Sequence, residues 1–194
     1  KPPDLTDPVA LARHRDRARS LPGHDDAMFL HRLALTDLQE RLSEVNRTFT
    51  APAVVTGFPE LWQALRPDAV VVPDNDHIAL DQSAYDLIVH AMSLHWANDP
   101  VGQLVQCRRA LTPDGLCLVV LPGGRTLQEL RASLAEAEAK VTGGLSPRVV
   151  PMGEIRDLGA LMQRAGFALP VADGIMQTVE YGSFSSLLSD LRAS

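Results

Sequence analysis

The sequence predicts an α/β layered fold with a mostly parallel sheet, for three reasons. Four short runs, "AVVT", "AVVV", "YDLIVH" and "LCLVVL", have the length of strands and are apolar almost throughout. Segments with helical spacing of apolar residues lie between them, as in strand–helix–strand units. The chain has 194 residues, of which 45% are hydrophobic, enough for one good core. Strands that are apolar on both faces belong to a sheet covered by helices on both sides.

Residues 1–50 precede the first of these strands and are predicted to be helical. "DLTDPVALARHRDRARS" and "HDDAMFLHRLALTDLQERLSEVN" place most apolar residues three or four positions apart, which predicts two amphipathic helices. We therefore expect an N-terminal helical lead-in over residues 1–50 and an α/β domain over residues 51–194.

The second region alternates strands and helices in order. "PELWQAL" carries Pro59 in a first helical turn, and "NDPVGQLVQCRRALTPDG" offers Asp99 as an N-cap with Pro100 at the first helical position. Two further helices are predicted in "TLQELRASLAEAEAKVTGG" and "GEIRDLGALMQRAGF". The run "IMQTVEY" is expected as an antiparallel strand near one edge, before a final helix from Phe184.

Composition and charge narrow the possible functions. The formal charge is -6, and the arginines of "RHRDRAR" have irregular helical phases, so we expect a solvated helix face and no nucleic-acid partner. No apolar stretch is long enough to span a membrane. Cys107 and Cys117 are expected as reduced core thiols in a chain without a signal-like segment, which predicts a cytoplasmic location. The scattered histidines and acidic pairs indicate neither a metal site nor a nucleophile triad.

The stretch "YDLIVHAMSLHWAND" indicates where a ligand would bind. A buried strand ends there in a polar and aromatic patch that contains His95 and Trp96. Ligands of parallel α/β folds lie outside the carboxyl ends of the strands, so we expect both rings to border a cleft. The alternative, that the two rings only cap the core, stays open, because Trp is mostly buried and a single His is more often structural.

Longer motifs in the same half of the chain resemble a known family. "YDLIVHAMSLHWANDPVGQLVQCRRALTPDGLCLVVLPGGRTLQELRASLAEAE" and "GGLSPRVVPMGEIRDLGALMQRAGF" are similar to class I S-adenosylmethionine-dependent methyltransferases. The similarity is greatest to the branch of the respiratory complex I assembly factor, an arginine hydroxylase, and its alphaproteobacterial relatives. The methyltransferase that acts on malonyl carrier protein is more distant. The resemblance implies a Rossmann-like fold and S-adenosylmethionine as cofactor, with Met92 and Ser93 beside it. His95 would be a base and Trp96 a wall facing the acceptor or the sulfonium, since an aromatic face attracts a cation.

The cofactor turn departs from the family pattern. Such enzymes carry an acidic, glycine-rich turn after the first strand, because the backbone must approach the cofactor. In "VVTGFPELW" the only glycine is Gly57, and no acidic residue precedes it. Phe58, Pro59 and Trp62 have large side chains where the family has small residues. We therefore expect weak or absent cofactor binding, with Phe58 filling the space or forcing the ligand outward.

The spacing between the first strands is also short. Between Val54 and Ile88 there is room for one helical crossover and one strand, so the sheet is expected to lack one strand–helix unit. The strand in "AVVVPDND" allows two interpretations. It could supply Asp74 or Asp76 as the acid that holds the cofactor ribose. The acidic turn that follows resembles the family's turn between the third and fourth strands, which favours assigning this strand as the third. The chain would then have no acid to hold the ribose.

Two functions remain open on these residues. One is an S-adenosylmethionine-dependent methyltransferase, or a relative using that cofactor differently, with impaired catalysis. The other is a non-catalytic pseudo-methyltransferase that binds a protein partner as a scaffold or respiratory-complex assembly factor. Retention of "SLHW" and "LPGGRT" favours the first function, and loss of the glycine turn favours the second.

Overall fold

A computed structural model describes residues 4–146, 148–149 and 152–193. The chain forms two compact units, one made of Lys1–Leu121 with Met176–Ser194 and the other of Pro122–Ile175. The predicted division into residues 1–50 and 51–194 stays a prediction.

The first unit begins with three helices. These are α1 (Pro8–Ser20), α2 (His24–Ala27) and α3 (Phe29–Glu44). The Asp7 carboxylate caps α1 by accepting from the backbone N–H groups of Val9 and Ala10. The predicted second helix is divided in two because Met28 leaves helical geometry between α2 and α3.

A four-stranded parallel sheet follows, in the order β2-β1-β3-β4. Its strands are β1 (Pro52–Thr56), β2 (Val70–Val72), β3 (Tyr85–Ala91) and β4 (Leu111–Val120). A single strand, β2, lies between β1 and β3 in the chain, which agrees with the spacing argument. The predicted parallel α/β fold with leading helices is therefore confirmed.

The register of the sheet explains why the residues of β1 and β3 are almost all apolar. Val54 pairs with Val89 and Val55 with His90, and all four side chains are at most 1% exposed. The pairing of β3 with β4 shifts between Tyr85 and Leu87, where the "TPDG" segment bulges. Asp114 has φ +63° in this bulge, a left-handed conformation that Asp tolerates better than most residues.

The core lies between this sheet and the N-terminal helices. Its largest cluster joins side chains of both layers: Met28, Leu38, Phe49, Val54, Phe58, Trp62, Leu65, Leu87, Val89 and Ala91. Leu87 and Val89 are completely buried, which accounts for the helix-covered strands that the sequence predicts.

Two helices connect the strands of the first unit. α4 (Pro59–Trp62) is only four residues long, and α5 (Pro100–Ala110) precedes β4. The Asp99 carboxylate accepts from the Gly102 N–H at 2.8 Å, so both its predicted N-cap role and Pro100 in the first turn are confirmed.

The remaining helices are α6 (Gln128–Thr142) and α7 (Ile155–Arg164) in the second unit, and α8 (Phe184–Ala193) in the first. Gly143 ends α6 with φ +73°, a conformation that favours glycine. α8 packs against α1 and α2. Among the described residues, no helix is both long enough and apolar enough to span a membrane.

The prediction of an antiparallel strand over "IMQTVEY" is wrong. Residues 175–181 belong to neither a strand nor a helix, and Ile175 and Met176 are 68% and 67% exposed. Alternating apolar residues indicate a face for burial, but a strand also needs a backbone partner, which this run does not have in the described structure.

Candidate functional site

The candidate site lies at the carboxyl end of the sheet, between β1 and β3. The chain goes from β1 to β2 on one side, whereas β3 and β4 lie on the other, so the strand order reverses at this point. Open parallel sheets bind ligands in the crevice at such a switch point. Thr56 and Gly57 leave β1 here, Met92 and Ser93 leave β3, and Asp74 follows β2.

Phe58 and Trp62 do not stand free in this crevice. Both belong to the core cluster, where Phe58 is 5% exposed and Trp62 is fully buried. The Phe58 ring meets His31 edge-on, with 4.9 Å between ring centroids. The expectation that Phe58 fills the cofactor space is therefore wrong, because the helices before the sheet provide an apolar layer that takes up the ring.

The guanidinium of Arg15, from α1, lies over Gly57 instead. Arg15 donates two hydrogen bonds of 2.8 Å to the two carboxylate oxygens of Asp74. Their side chains are only 14% and 7% exposed. A Cβ at position 57 would overlap the guanidinium, so the absence of a side chain on Gly57 gives Arg15 its place. This fork-shaped geometry is the strongest form of an ion pair between side chains.

Arg19 adds a second contact one helical turn later. It donates to the Gly57 carbonyl at 2.7 Å and to the Glu60 carboxylate at 3.1 Å. The guanidinium carbons of Arg15 and Arg19 lie 5.7 and 5.4 Å from the Phe58 ring centroid. We expected the arginines of "RHRDRAR" to be solvated. Arg13 is exposed to solvent, whereas Arg15 binds Asp74 at the end of the sheet.

A cleft of ≈ 290 Å³ remains between α1 and the strand ends. It is lined by Ala12, Arg15, Asp16 and Arg19 from α1 and by Thr56, Gly57, Pro59, Val71, Val72, Pro73, Asp74 and Asn75 from the sheet side. Ligand pockets commonly measure about 300–1,000 Å³, so the cleft is at the lower limit. A shallow depression of ≈ 400 Å³ around Arg47 and Phe49 lies before β1, at the end of the strands where such folds do not bind ligands.

Asp74 stands where a ribose-binding acid is expected. β2 pairs directly with β1, which is the place of the second strand in the usual order 3-2-1-4. This pairing agrees with the interpretation that Asp74 follows the second strand, and the preferred assignment of β2 as the family's third strand stays a prediction. Short-range sequence matching could not decide this, because pairing between strands is a tertiary property.

A buried polar network holds the Asp74 loop in place. Gln103 of α5 is 2% exposed and donates to the carbonyls of Asp74 and Asn75, at 3.2 and 3.1 Å. Its side-chain oxygen then accepts from Nε2 of His90 at 2.9 Å. Nδ1 of His90 accepts from the Ser93 hydroxyl at 3.3 Å. Burial lowers the pKa of His90, so the ring is neutral with its proton on Nε2.

Ser93, predicted beside the cofactor, is thus 1% exposed and belongs to this network. Met92 leaves β3 with φ +50°, a left-handed conformation that costs about 1 kcal/mol for a residue with a side chain. Its N–H donates to the Val120 carbonyl at 2.8 Å, which holds this conformation.

His95 and Trp96 form a short 3₁₀ helix with Leu94 directly after β3. Their ring centroids are 4.9 Å apart, and Trp96 is 37% exposed. Burial lowers the pKa of His95 to about 4, with Arg15 acting in the same direction. Neither ring lines the cleft described above. Their catalytic role stays a prediction, and a base with a pKa near 4 is weak at neutral pH.

One polar contact was not predicted from the sequence. Nε1 of Trp62 donates to Nδ1 of His31 at 3.1 Å inside the core. Burial, followed by His95 and Arg15, lowers the pKa of His31 to about 4. His31 lies at an apolar phase of α3, and this phase is the signal in the sequence that could have indicated a buried histidine.

Asp76 is exposed, and its backbone carbonyl accepts from Gln106 at 2.8 Å. Its side chain does not line the cleft. In the part of the chain that the structure describes, no cluster of His, Cys, Asp and Glu could hold a metal ion. Cys107 and Cys117 are both free thiols, and burial raises the pKa of Cys107 to about 12.

Comparison with known proteins agrees with the sequence motifs. Residues 27–119 match the family described as "Methyltransferase domain". The human mitochondrial arginine-hydroxylase NDUFAF5 is 38% identical over 126 residues, which cover 65% of this chain and 36% of that protein. A malonyl-[acyl-carrier protein] O-methyltransferase of Halorhodospira halophila is 29% identical over 153 residues, 79% of this chain and 50% of that protein.

A solved structure from Thermotoga maritima, described as a SAM-dependent methyltransferase and possible histamine N-methyltransferase, has the same fold. It superposes with a TM-score of 0.54 at 14% identity, over 78% of this chain and 79% of that one. Residues 27–119 therefore resemble a methyltransferase domain, and the chain has a Rossmann-like fold. It spans about a third of the length of the arginine-hydroxylase relatives, 36% of the human one.

The cleft as it stands does not fit S-adenosylmethionine. Both oxygens of Asp74, the residue that would hold the ribose, are engaged by Arg15. The same guanidinium lies on Gly57, where the cofactor would need close approach to the backbone. Two elements of one binding site are thus occupied by a single side chain of the protein itself.

Proposed function

We propose that this protein does not carry S-adenosylmethionine in its resting state and acts through a protein partner, as a scaffold or assembly factor. One observation carries the proposal, namely the Arg15 guanidinium bound to Asp74 above Gly57. A bound cofactor would have to break this ion pair or lose its polar anchor on Asp74. An unpaired buried anchor costs about 1–3 kcal/mol, and two such losses would weaken binding about a hundredfold or more.

The proposed partner is a protein because one similar relative is named for methyl transfer to malonyl-[acyl-carrier protein], a protein-bound acceptor. The formal charge of -6 disfavours nucleic acid as the partner. We propose a cytoplasmic location, in keeping with two free thiols and no disulfide among the described residues.

Calorimetric titration with S-adenosylmethionine and S-adenosylhomocysteine tests the proposal. We expect dissociation constants weaker than about 100 μM, because Arg15 engages both carboxylate oxygens of Asp74 in the cleft. Micromolar binding of either compound, or a purified sample that retains the cofactor, would overturn the proposal.

The second candidate function is an active methyltransferase. Asp74 favours it, because this carboxylate follows a strand that pairs with β1, where such folds place the acid that holds a ribose. Methyl transfer needs mainly a bound donor and an aligned acceptor. Release of Asp74 from Arg15 would therefore be the step that allows the donor to bind. Transfer of a labelled methyl group to any protein acceptor by the purified chain would establish this function instead.

A further inference from the structure

We propose that α1 is a reversible strap and that Arg15 is its internal competitor for the cofactor cleft. The inference rests on the proposed function in one respect, that Arg15 occupies Asp74 in the resting protein. It goes further by stating that the same chain has an open form, in which Asp74 is free to accept from the vicinal hydroxyl groups of a ribose.

The contacts of Arg15 are those of a competing ligand. A guanidinium presents two parallel N–H donors to the carboxylate of Asp74, at 2.8 Å each, as the two hydroxyl groups of a ribose would. It also lies directly against Gly57, where only a residue without a side chain allows such approach. Arg15 and a nucleoside therefore cannot occupy the cleft together.

The way in which α1 is attached makes it displaceable. Ala18 is the only buried residue of this 13-residue helix. Helices in proteins gain most of their stability from an apolar face packed on the core, which α1 lacks. It is held mainly by Arg15, by Arg19 and by packing against α2 and α8. Elements held by few apolar contacts open at low free-energy cost.

A separate anchor connects the start of α1 to the loop after β3. The Thr6 N–H donates to the Asn98 side-chain oxygen at 2.9 Å, and the Asn98 amide donates back to the Thr6 carbonyl at 2.9 Å. Neither residue lines the cleft. This pair can be removed to loosen the strap without changing any group that would touch a ligand.

The test compares Arg15→Ala with Arg13→Ala, an exposed arginine on the same helix, by calorimetric titration with S-adenosylhomocysteine. We expect Arg15→Ala to bind at least about tenfold more tightly than the wild type, because the open fraction limits the apparent affinity. Arg13→Ala should bind like the wild type. No gain in a folded Arg15→Ala protein, or an equal gain in Arg13→Ala, would overturn the strap.

Two further variants keep the test decisive. Asp74→Asn should accelerate hydrogen exchange of residues 8–20 without any gain in binding, because it breaks the ion pair and also removes the ribose acceptor. Asn98→Ala should give a smaller gain than Arg15→Ala, because it loosens the start of α1 while Arg15 stays on Asp74. It serves as the test if Arg15→Ala fails to fold, and no gain in Asn98→Ala then overturns the strap.

The outcomes separate this inference from the proposed function. A wild-type protein that binds at micromolar concentration overturns the proposed function, whereas a further gain in Arg15→Ala would still support the strap. A wild-type protein and an Arg15→Ala protein that both fail to bind overturn the strap and leave the proposed function standing.

Discussion

Two histidines near the cleft are neutral at physiological pH because they are buried. The pKa values of His31 and His95 are both lowered to about 4, with burial as the largest cause. Protonation of His31 at Nδ1 would also remove the acceptor for the Trp62 N–H. At the scale of single residues, His31 acts as a structural group of the core.

The contact between His31 and Trp62 should contribute measurably to stability. His31→Leu leaves the buried indole N–H without an acceptor and should cost about 1–3 kcal/mol of unfolding free energy, measured by urea denaturation. His31→Asn places an oxygen near the position of Nδ1 and should cost less. Equal losses in the two variants would show that packing of the ring, and not the hydrogen bond, supplies the stability.

Stability should fall as the pH is lowered from about 6.5 to 4. Because both folded-state pKa values lie below the ordinary value of 6.5, the unfolded chain binds more protons in this range. Each histidine adds a slope of up to about 1.4 kcal/mol per pH unit, and its contribution is fully present above pH 6.5. Urea midpoints between pH 7 and 4.5 would measure it, and His31→Asn should show a shallower slope. A pH-independent midpoint would contradict the buried neutral state.

At the scale of elements, α5 positions the loop that carries Asp74. Gln103 and Gln106 lie on one face of this helix and both donate to loop carbonyls. Gln103 also accepts from His90, so it connects the loop with the end of β3. The backbone of this loop is therefore bound by α5, while its Asp74 side chain is bound by α1.

Gln103→Leu should destabilise the protein by more than about 2 kcal/mol, because it leaves His90 and two carbonyls without their buried partner. Gln106→Leu removes similar bonds at a less buried position and serves as the matched control. Thermal denaturation would compare them. A Gln103→Leu protein as stable as Gln106→Leu would mean that water satisfies the loop carbonyls.

Gly57→Ala should displace α1 from the strand ends and break the ion pair between Arg15 and Asp74. The added Cβ meets only the end of the flexible Arg15 side chain, which can move aside. Hydrogen exchange of residues 8–20 should therefore become faster, and the unfolding free energy should fall by about 1–3 kcal/mol, because Asp74 loses its buried partner. Gly144→Ala, where the Cβ meets no atom closer than 3.9 Å, is the control. Unchanged exchange of α1 in Gly57→Ala would contradict the docked arrangement.

At the scale of the whole molecule, local patterns predicted the fold better than the site. The apolar runs of β1 and β3, the Asp99 cap and the family motifs all act over a few residues, and the structure agrees with them. The contact of Arg15 with Asp74 joins positions 59 apart in the chain, and no local pattern indicates it. The sequence left two interpretations of β2 for the same reason, since strand order depends on long-range pairing.

The central claim is that Arg15 and a nucleoside compete for one place, so that α1 opens when the ligand binds. Hydrogen exchange of residues 8–20 in the wild-type protein, with and without millimolar S-adenosylhomocysteine, tests it most directly. We expect faster exchange of α1 in the presence of the ligand. Slower exchange would show that α1 closes over a bound cofactor, and it would contradict competition between Arg15 and the ligand.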